Sequence, residues 1–184
     1  GELMNAGGIS NRIIKFAMSL VGHLRGGIGY VAIIGTVIFA GLSGSAIADT
    51  AALGAILIPM MVASGYNRNR SAGLIASGGI IANIMPPSIP LILYGVIGGV
   101  SITKLFIAGI VPGILMGVVL AIIWAWLMRK EKVDVKPKKS IKEIVTLGKD
   151  ALWALGLPVL IIVGLRGGVF TPTEAGVVAV FYAL

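Results

Sequence analysis

The chain has 184 residues, of which 57% are hydrophobic and 12% charged, with a mean hydropathy of +1.02. That balance excludes an ordinary soluble domain and points to a polytopic helical membrane protein. Cysteine is absent and His23 is the sole histidine, which leaves no disulfide frame, no thiolate metal site and no multi-histidine site; the net charge of +8 is concentrated in one loop beside apolar segments, a pattern of membrane topology and not of nucleic-acid binding.

In chain order, residues 1–26 are read as an interfacial amphipathic arm helix. Within them "ISNRIIKFAMSLVGHL" places Ile9, Ile13, Ala17, Leu20 and Leu24 on one face and Arg12, Lys15, Ser19 and His23 on the other, as in helices that lie at a membrane surface. Residues 27–66 follow, apolar except for "GLSGSAIADTAALG" at 41–54. As one helix they would be roughly 60 Å long, twice the hydrocarbon thickness. The predicted element is therefore a re-entrant helical hairpin with its tip at Ser43–Ser45.

Residues 67–103 are apolar but interrupted by "GGIIANIMPPSIP" at 78–90. Pro86 and Pro87 lack amide protons and clash with a preceding turn, and Gly78 and Gly79 weaken a helix further. Two half-helices meeting near the mid-membrane are expected. Residues 104–128 form a more regular transmembrane helix, with Trp124 and Trp126 expected in an interfacial belt and Gly109, Gly113 and Gly117 expected to permit close helix packing. Residues 129–149 hold eight Lys and Arg and are read as a cytoplasmic loop. Residues 150–184 begin further transmembrane segments, with a second apolar span over Ala151–Leu165. Within them Thr171, Pro172 and Glu174 have the spacing of a capping box; Glu174 is a functional candidate whose alternative role is that cap. The chain opens on "GELMNAGG" and closes within the apolar run "VVAVFYAL", so it is expected to be a fragment of a larger permease.

Charge parity supports the hairpin. With 129–149 inside, Arg68 and Arg70 also lie inside, and a hairpin brings Arg12, Lys15 and Arg25 to the same side, whereas a single crossing would place them outside. Lys104 and Arg166 are then the outer charges.

Two helix breaks in one apolar chain need a physical reason, because backbone groups in lipid must be satisfied internally or line a cavity. Freed carbonyls and helix N-termini can hold cations and anions. Ser43 and Ser45 add hydroxyl oxygens, Asn83 an amide oxygen, and Met85 and Pro86 backbone oxygens. An oxygen-only set without strong fixed charge suits an alkali cation such as Na⁺. Ser45, through the tip, and Ser88 are substrate-binding candidates. Asp49, a carboxylate at membrane depth, is a functional candidate; it could equally order the tip by hydrogen bonds or face water.

"GLSGSAIADTAALG", "NIMPPSIPLILYG" and "GGVFTPTEAG" together resemble the large membrane subunit, DctM or SiaM type, of TRAP transporters, the tripartite ATP-independent periplasmic systems. The resemblance covers essentially the whole chain. It implies an all-α, elevator-type, ion-transporter-like fold and Na⁺-driven uptake of organic acids such as C4-dicarboxylates or sialic acids. It further implies a small membrane subunit (DctQ or SiaQ type), a periplasmic substrate-binding protein (DctP or SiaP type), and multi-pass residence in the inner membrane of a bacterium or archaeon. "GLSGS" would be the first hairpin tip and "NIMPPS" a break sharing a Na⁺ site with it. Large subunits carry two inverted repeats, and the one "SGS" and one "PPS" here correspond to the first; the second is expected after Leu184. Rival readings are a carboxylate permease independent of a binding protein, and a channel or scaffold subunit without coupled transport. An enzyme fits poorly, since the apolar core holds no paired carboxylates or other acid–base machinery.

Overall fold

In a computed structural model, the described residues are 9–129, 131, 137–169, 171, 174, 177–178 and 181–182. The first eight residues of the arm, loop positions 130 and 132–136, the side chains of Ile9 and Arg166, and much of the last stretch lie outside them. Every regular element among the described residues is a helix: α1 Ile9–Val21, α2 Gly27–Ser43, α3 Ala46–Ala63, α4 Arg68–Gly79, a 3-10 turn Ile80–Asn83, α5 Ile89–Gly98, α6 Ile102–Met128 and α7 Ile141–Arg166.

Local chemistry sets most of these boundaries. Ser45, Asn67, Ser88 and Ser101 stand at the N-caps of α3, α4, α5 and α6, each accepting from a free amide of the first turn. Gly44 and Gly99 end α2 and α5 in the left-handed region, at φ 63° in both cases, where only glycine is unstrained. Two helices, α3 with 18 residues and α6 with 27, are long and apolar enough to cross a membrane. At 1.5 Å per residue α3 is about 27 Å long, close to the lower limit.

α2 is the central element. It packs against α1, α3, α4, α6 and α7 and buries residues on all sides, among them Val31, Ala32, Thr36, Phe39 and Ala40, as expected for a helix without a polar face. Its two ends meet different neighbours. At the α1 end, the Trp124 indole of α6 is 1% exposed. Its Nε1–H donates to the Gly26 carbonyl at 2.9 Å, and its ring stacks on Tyr66 at 6.0 Å between centroids and 13° between planes. A Cβ on Gly29 would stand 2.1 Å from that ring, so the "GGIG" run is the cradle of one indole. Both ends of the α2–α3 hairpin are thus fastened to the end of α6. Arg25 and Arg70 join them there, the first donating to the Glu131 carbonyl at 3.2 and 2.7 Å, the second ion-paired with the Glu131 carboxylate.

Several elements differ from the sequence reading. Trp124 is a buried clasp and not a belt residue, because the glycines opposite leave room for it; Trp126, 68% exposed, points away. α1 buries Ile13, Ile14 and Ala17, together with Ser19, whose hydroxyl donates to the Phe16 carbonyl at 2.6 Å; Leu20 and Leu24 are exposed. Its buried stripe is rotated because α2 and α7 pack against it. α7 starts at Ile141, ten residues before the predicted apolar span. Ile144, Leu147, Gly148 and Ala151 recur at helical spacing and turn inward, and Gly148 lies against the Phe16 ring. Gly78 and Gly79 do not break α4. They are its last residues, and a Cβ there would strike Thr36 of α2 at 2.8 Å and Thr50 of α3 at 1.9 Å.

The glycine contacts give a direct test. A Cβ on Gly109 would lie 2.2 Å from the Ile84 carbonyl oxygen, whereas one on Gly73 meets nothing within 4 Å. Gly109→Ala in the complete protein should therefore lower stability by about 1–3 kcal/mol through overpacking, while Gly73→Ala leaves it unchanged or slightly higher. Thermal unfolding of the two variants in detergent checks the contrast.

Candidate functional site

The tip of the hairpin is built from side chains that serve the backbone of their own turn. Gly44 reverses the chain; its N–H donates to Ala40 at 3.4 Å. The Ser45 hydroxyl caps α3 by accepting from Ala48 N–H at 3.4 Å, and its own amide donates to the Ser43 hydroxyl at 3.1 Å. Ser43 in turn donates to Oδ1 of Asp49, one turn into α3. Asp49 is 2% exposed, and its Oδ2 is buried without a hydrogen-bond donor among the described residues. A carboxylate oxygen left this way is costly unless another positive or donating group reaches it.

The break opposite is narrower than the sequence suggested, occupying 84–88 between the 3-10 turn and α5. The Ile84 and Met85 amides fold back on the Ile81 carbonyl at 3.0 and 2.8 Å. The Pro86–Pro87 bond is cis. Ser88 is fully buried; its hydroxyl donates to the Asn83 carbonyl at 2.6 Å and accepts from Leu91 N–H at 3.3 Å. That hydroxyl bridges the two half-helices and is committed to doing so. Among the described residues, no hydrogen bond ends on the carbonyls of Met85 or Pro86.

Tip and break touch. Ile89 N–H, the first amide of α5, donates to the Gly44 carbonyl at 3.3 Å. A Cβ on Gly44 would stand 2.3 Å from the Pro87 carbonyl oxygen and 3.3 Å from Ser88 Cα. From the third side α6 closes in, with Gly109 against the Ile84 carbonyl and Gly113 against the Met85 side chain. The structure thus brings Ser43, Ser45 and Asp49 to the same corner as Pro86–Ser88, with Asn83 and Met85 at the start of the break. Asn83 is partly buried, and Met85 is 9% exposed. Glu174 takes no part in this corner through its hydrogen bonds. Its carboxylate accepts from the Thr171 amide at 2.7 Å and hydroxyl at 2.9 Å, and its own amide donates back at 3.4 Å, the reciprocal capping box.

Sequence reasoning gave Gly109 a packing role, and the structure supplies its partner, the Ile84 carbonyl; it named no partner for Gly44 or Gly79. The signal is present in their spacing beside the breaks, but a glycine in a sequence does not say which neighbour it admits. Chemically, the corner offers hydroxyl and carbonyl oxygens, one buried carboxylate and the N-termini of α3 and α5 converging on each other. Among the described residues, no group of three or more His, Cys, Asp or Glu could hold a metal ion.

Comparison with known proteins places this geometry in a family. All of residues 1–184 match the model described as "Tripartite ATP-independent periplasmic transporter, DctM component". The chain is 61% identical over 182 residues to a large permease protein of Haemophilus influenzae, covering 99% of this chain and 45% of that protein. It is 56% identical over 184 residues to the 2,3-diketo-L-gulonate TRAP transporter large permease protein of Escherichia coli, covering 100% of this chain and 43% of that one. It is 42% identical over 183 residues to the C4-dicarboxylate TRAP transporter large permease protein of Pseudomonas aeruginosa, again 100% against 43%. The chain therefore spans less than half the length of these relatives, which bear the names of transporter permeases and not of enzymes. The chain belongs to the DctM-component family of tripartite ATP-independent periplasmic transporters.

Proposed function

We propose that this chain contributes the first hairpin and first broken helix to a permease that couples Na⁺ entry to uptake of an organic acid. The observation that carries the reading is the contact between the Gly44 tip and the Pro87–Ile89 break. Ser43, Ser45, Asn83 and the carbonyls of Met85 and Pro86 would supply Na⁺ ligands, and a monovalent cation there offsets the desolvation of carbonyls without donors. It also neutralises part of an anion's charge, which is a physical route to coupling. Ser45 and Ser88 would lie on the substrate side, with Ser88 acting by holding the break open. The relatives named for 2,3-diketo-L-gulonate and C4-dicarboxylates support a carboxylate as the substrate. The re-entrant insertion of the hairpin, the elevator motion, the small membrane subunit and the periplasmic binding protein belong to this same proposal.

For topology, we infer that the corner holding Arg25, Arg70 and Arg129 faces the cytoplasm across an inner membrane. Its support is the gathering of three guanidinium groups and the basic 129–149 stretch at one end of α6. Cysteines introduced as Arg68→Cys and Lys136→Cys should both react with an impermeant thiol reagent from the cytoplasmic side alone. Labelling of either from the periplasm overturns the orientation.

Ser43→Ala in the complete permease removes one hydroxyl and leaves the backbone oxygens. It should raise the Na⁺ concentration for half-maximal uptake roughly fivefold, for a loss of about 1 kcal/mol, with a smaller effect on maximal rate. An unchanged half-saturation value in a normally inserted protein removes Ser43 from the ligand set, and wild-type uptake without Na⁺ removes the cation reading altogether. Asp49→Asn keeps the acceptor for Ser43 but deletes the charge. It should lower uptake more than it lowers the amount of inserted protein; normal uptake with normal Na⁺ dependence would make Asp49 a packing residue.

A further inference from the structure

Near the end of α6, on the side away from the tip, lies a cavity of about 330 Å³ lined by Leu24, Arg25, Tyr30, Ala125, Met128 and Arg129. Arg25 and Arg129 are both exposed, and Leu24, Ala125 and Met128 form the apolar side.

Among the described residues the charge of this cavity is left uncompensated, for a structural reason. Glu131 is the acid of this corner among the described residues, and its carboxylate is taken by Arg70. Arg25 reaches only the Glu131 carbonyl, a neutral acceptor, through Nε and Nη2 at 3.2 and 2.7 Å. Those two bonds hold the guanidinium in place without cancelling its charge. The Arg129 guanidinium has no hydrogen bond or ion pair among the described residues. Two positive charges, one of them held in place, and Tyr30 therefore line one opening.

The apolar wall continues beyond the cavity. Moving back along α6 from Ala125 at helical spacing, Ile122, Val118 and Ile114 are 62%, 49% and 50% exposed. If α6 crosses a bilayer, an apolar helix ending in a paired-arginine opening would bring cationic groups to the depth of lipid phosphates, with an acyl-chain track leading away from them.

We propose that the Arg25–Tyr30–Arg129 cavity binds the phosphodiester headgroup of an anionic phospholipid, with one acyl chain lying along Ile122, Val118 and Ile114 of α6. Guanidinium groups suit this ligand because they bind phosphate oxygens in a fixed, two-pronged geometry. The site is independent of the Na⁺ reading and uses none of its residues.

The test uses the complete permease, purified through detergent containing equal amounts of phosphatidylglycerol and phosphatidylcholine, with retained lipid quantified by mass spectrometry. Wild-type protein should retain phosphatidylglycerol in excess. Arg129→Gln, which breaks no hydrogen bond of the fold, should weaken that retention roughly fivefold, the equivalent of about 1 kcal/mol for one basic side chain at an anionic surface. Arg129→Lys should keep part of it. An equal excess in Arg129→Gln overturns the proposal, as does equal retention of the two lipids by wild type. Displacement of the bound lipid by millimolar inorganic phosphate overturns the lipid assignment in favour of a free-anion site.

Discussion

The structure turns on the need of a broken helix for backbone partners in an apolar surround. Proline at 86 and 87 removes two donors, and among the described residues the carbonyls of Met85 and Pro86 accept no hydrogen bond. The hairpin tip answers one of these needs directly, when the Gly44 carbonyl accepts the first amide of α5. Ser88 answers another by tying α5 back to Asn83. What these bonds leave over, the Met85 and Pro86 carbonyls and the second oxygen of Asp49, is concentrated in the same corner. Structural repair and candidate chemistry therefore use the same few residues.

Glycine makes that corner possible. A side chain on Gly44 would meet Pro87, one on Gly79 would meet Thr50, and one on Gly109 would meet Ile84. Three segments, the α2–α3 tip, α4 and α6, come close to the break or to α3 because each gives up its Cβ at the contact. Membrane helices lack a strong hydrophobic drive toward one another and depend on such close packing. The same logic holds at the far end, where Gly26 and Gly29 admit the Trp124 ring.

The all-helical class was legible in the sequence, and so were the two places where helices stop, because "SGS" and "MPPS" interrupt long apolar runs. Ser43, Asp49 and Ser88 stood out for a related reason, as polar groups where apolar ones are the rule. The burial of Trp124 was not legible. A tryptophan near a helix end has the same pattern whether it meets lipid headgroups or a pair of glycines almost a hundred positions away. The start of α7 was hidden by its own lysines: Ile144, Leu147 and Ala151 keep helical spacing, but the charge density between them has the signature of a loop. Pairings distant in sequence decide both cases, and local pattern carries no record of them.

The Trp124 clasp has a mechanical meaning. Because one indole holds both Gly26 and Tyr66, the α2–α3 hairpin is a lever anchored at its open end and seated at its tip against the break. The arm is about 25 Å long at helical rise. A tilt of about 5° at the anchor then carries the tip about 2 Å, by the length of that lever, enough to part the Gly44–Ile89 bond. The aromatic stack at one end of the molecule and the oxygen atoms at the other thus stand at opposite ends of one lever.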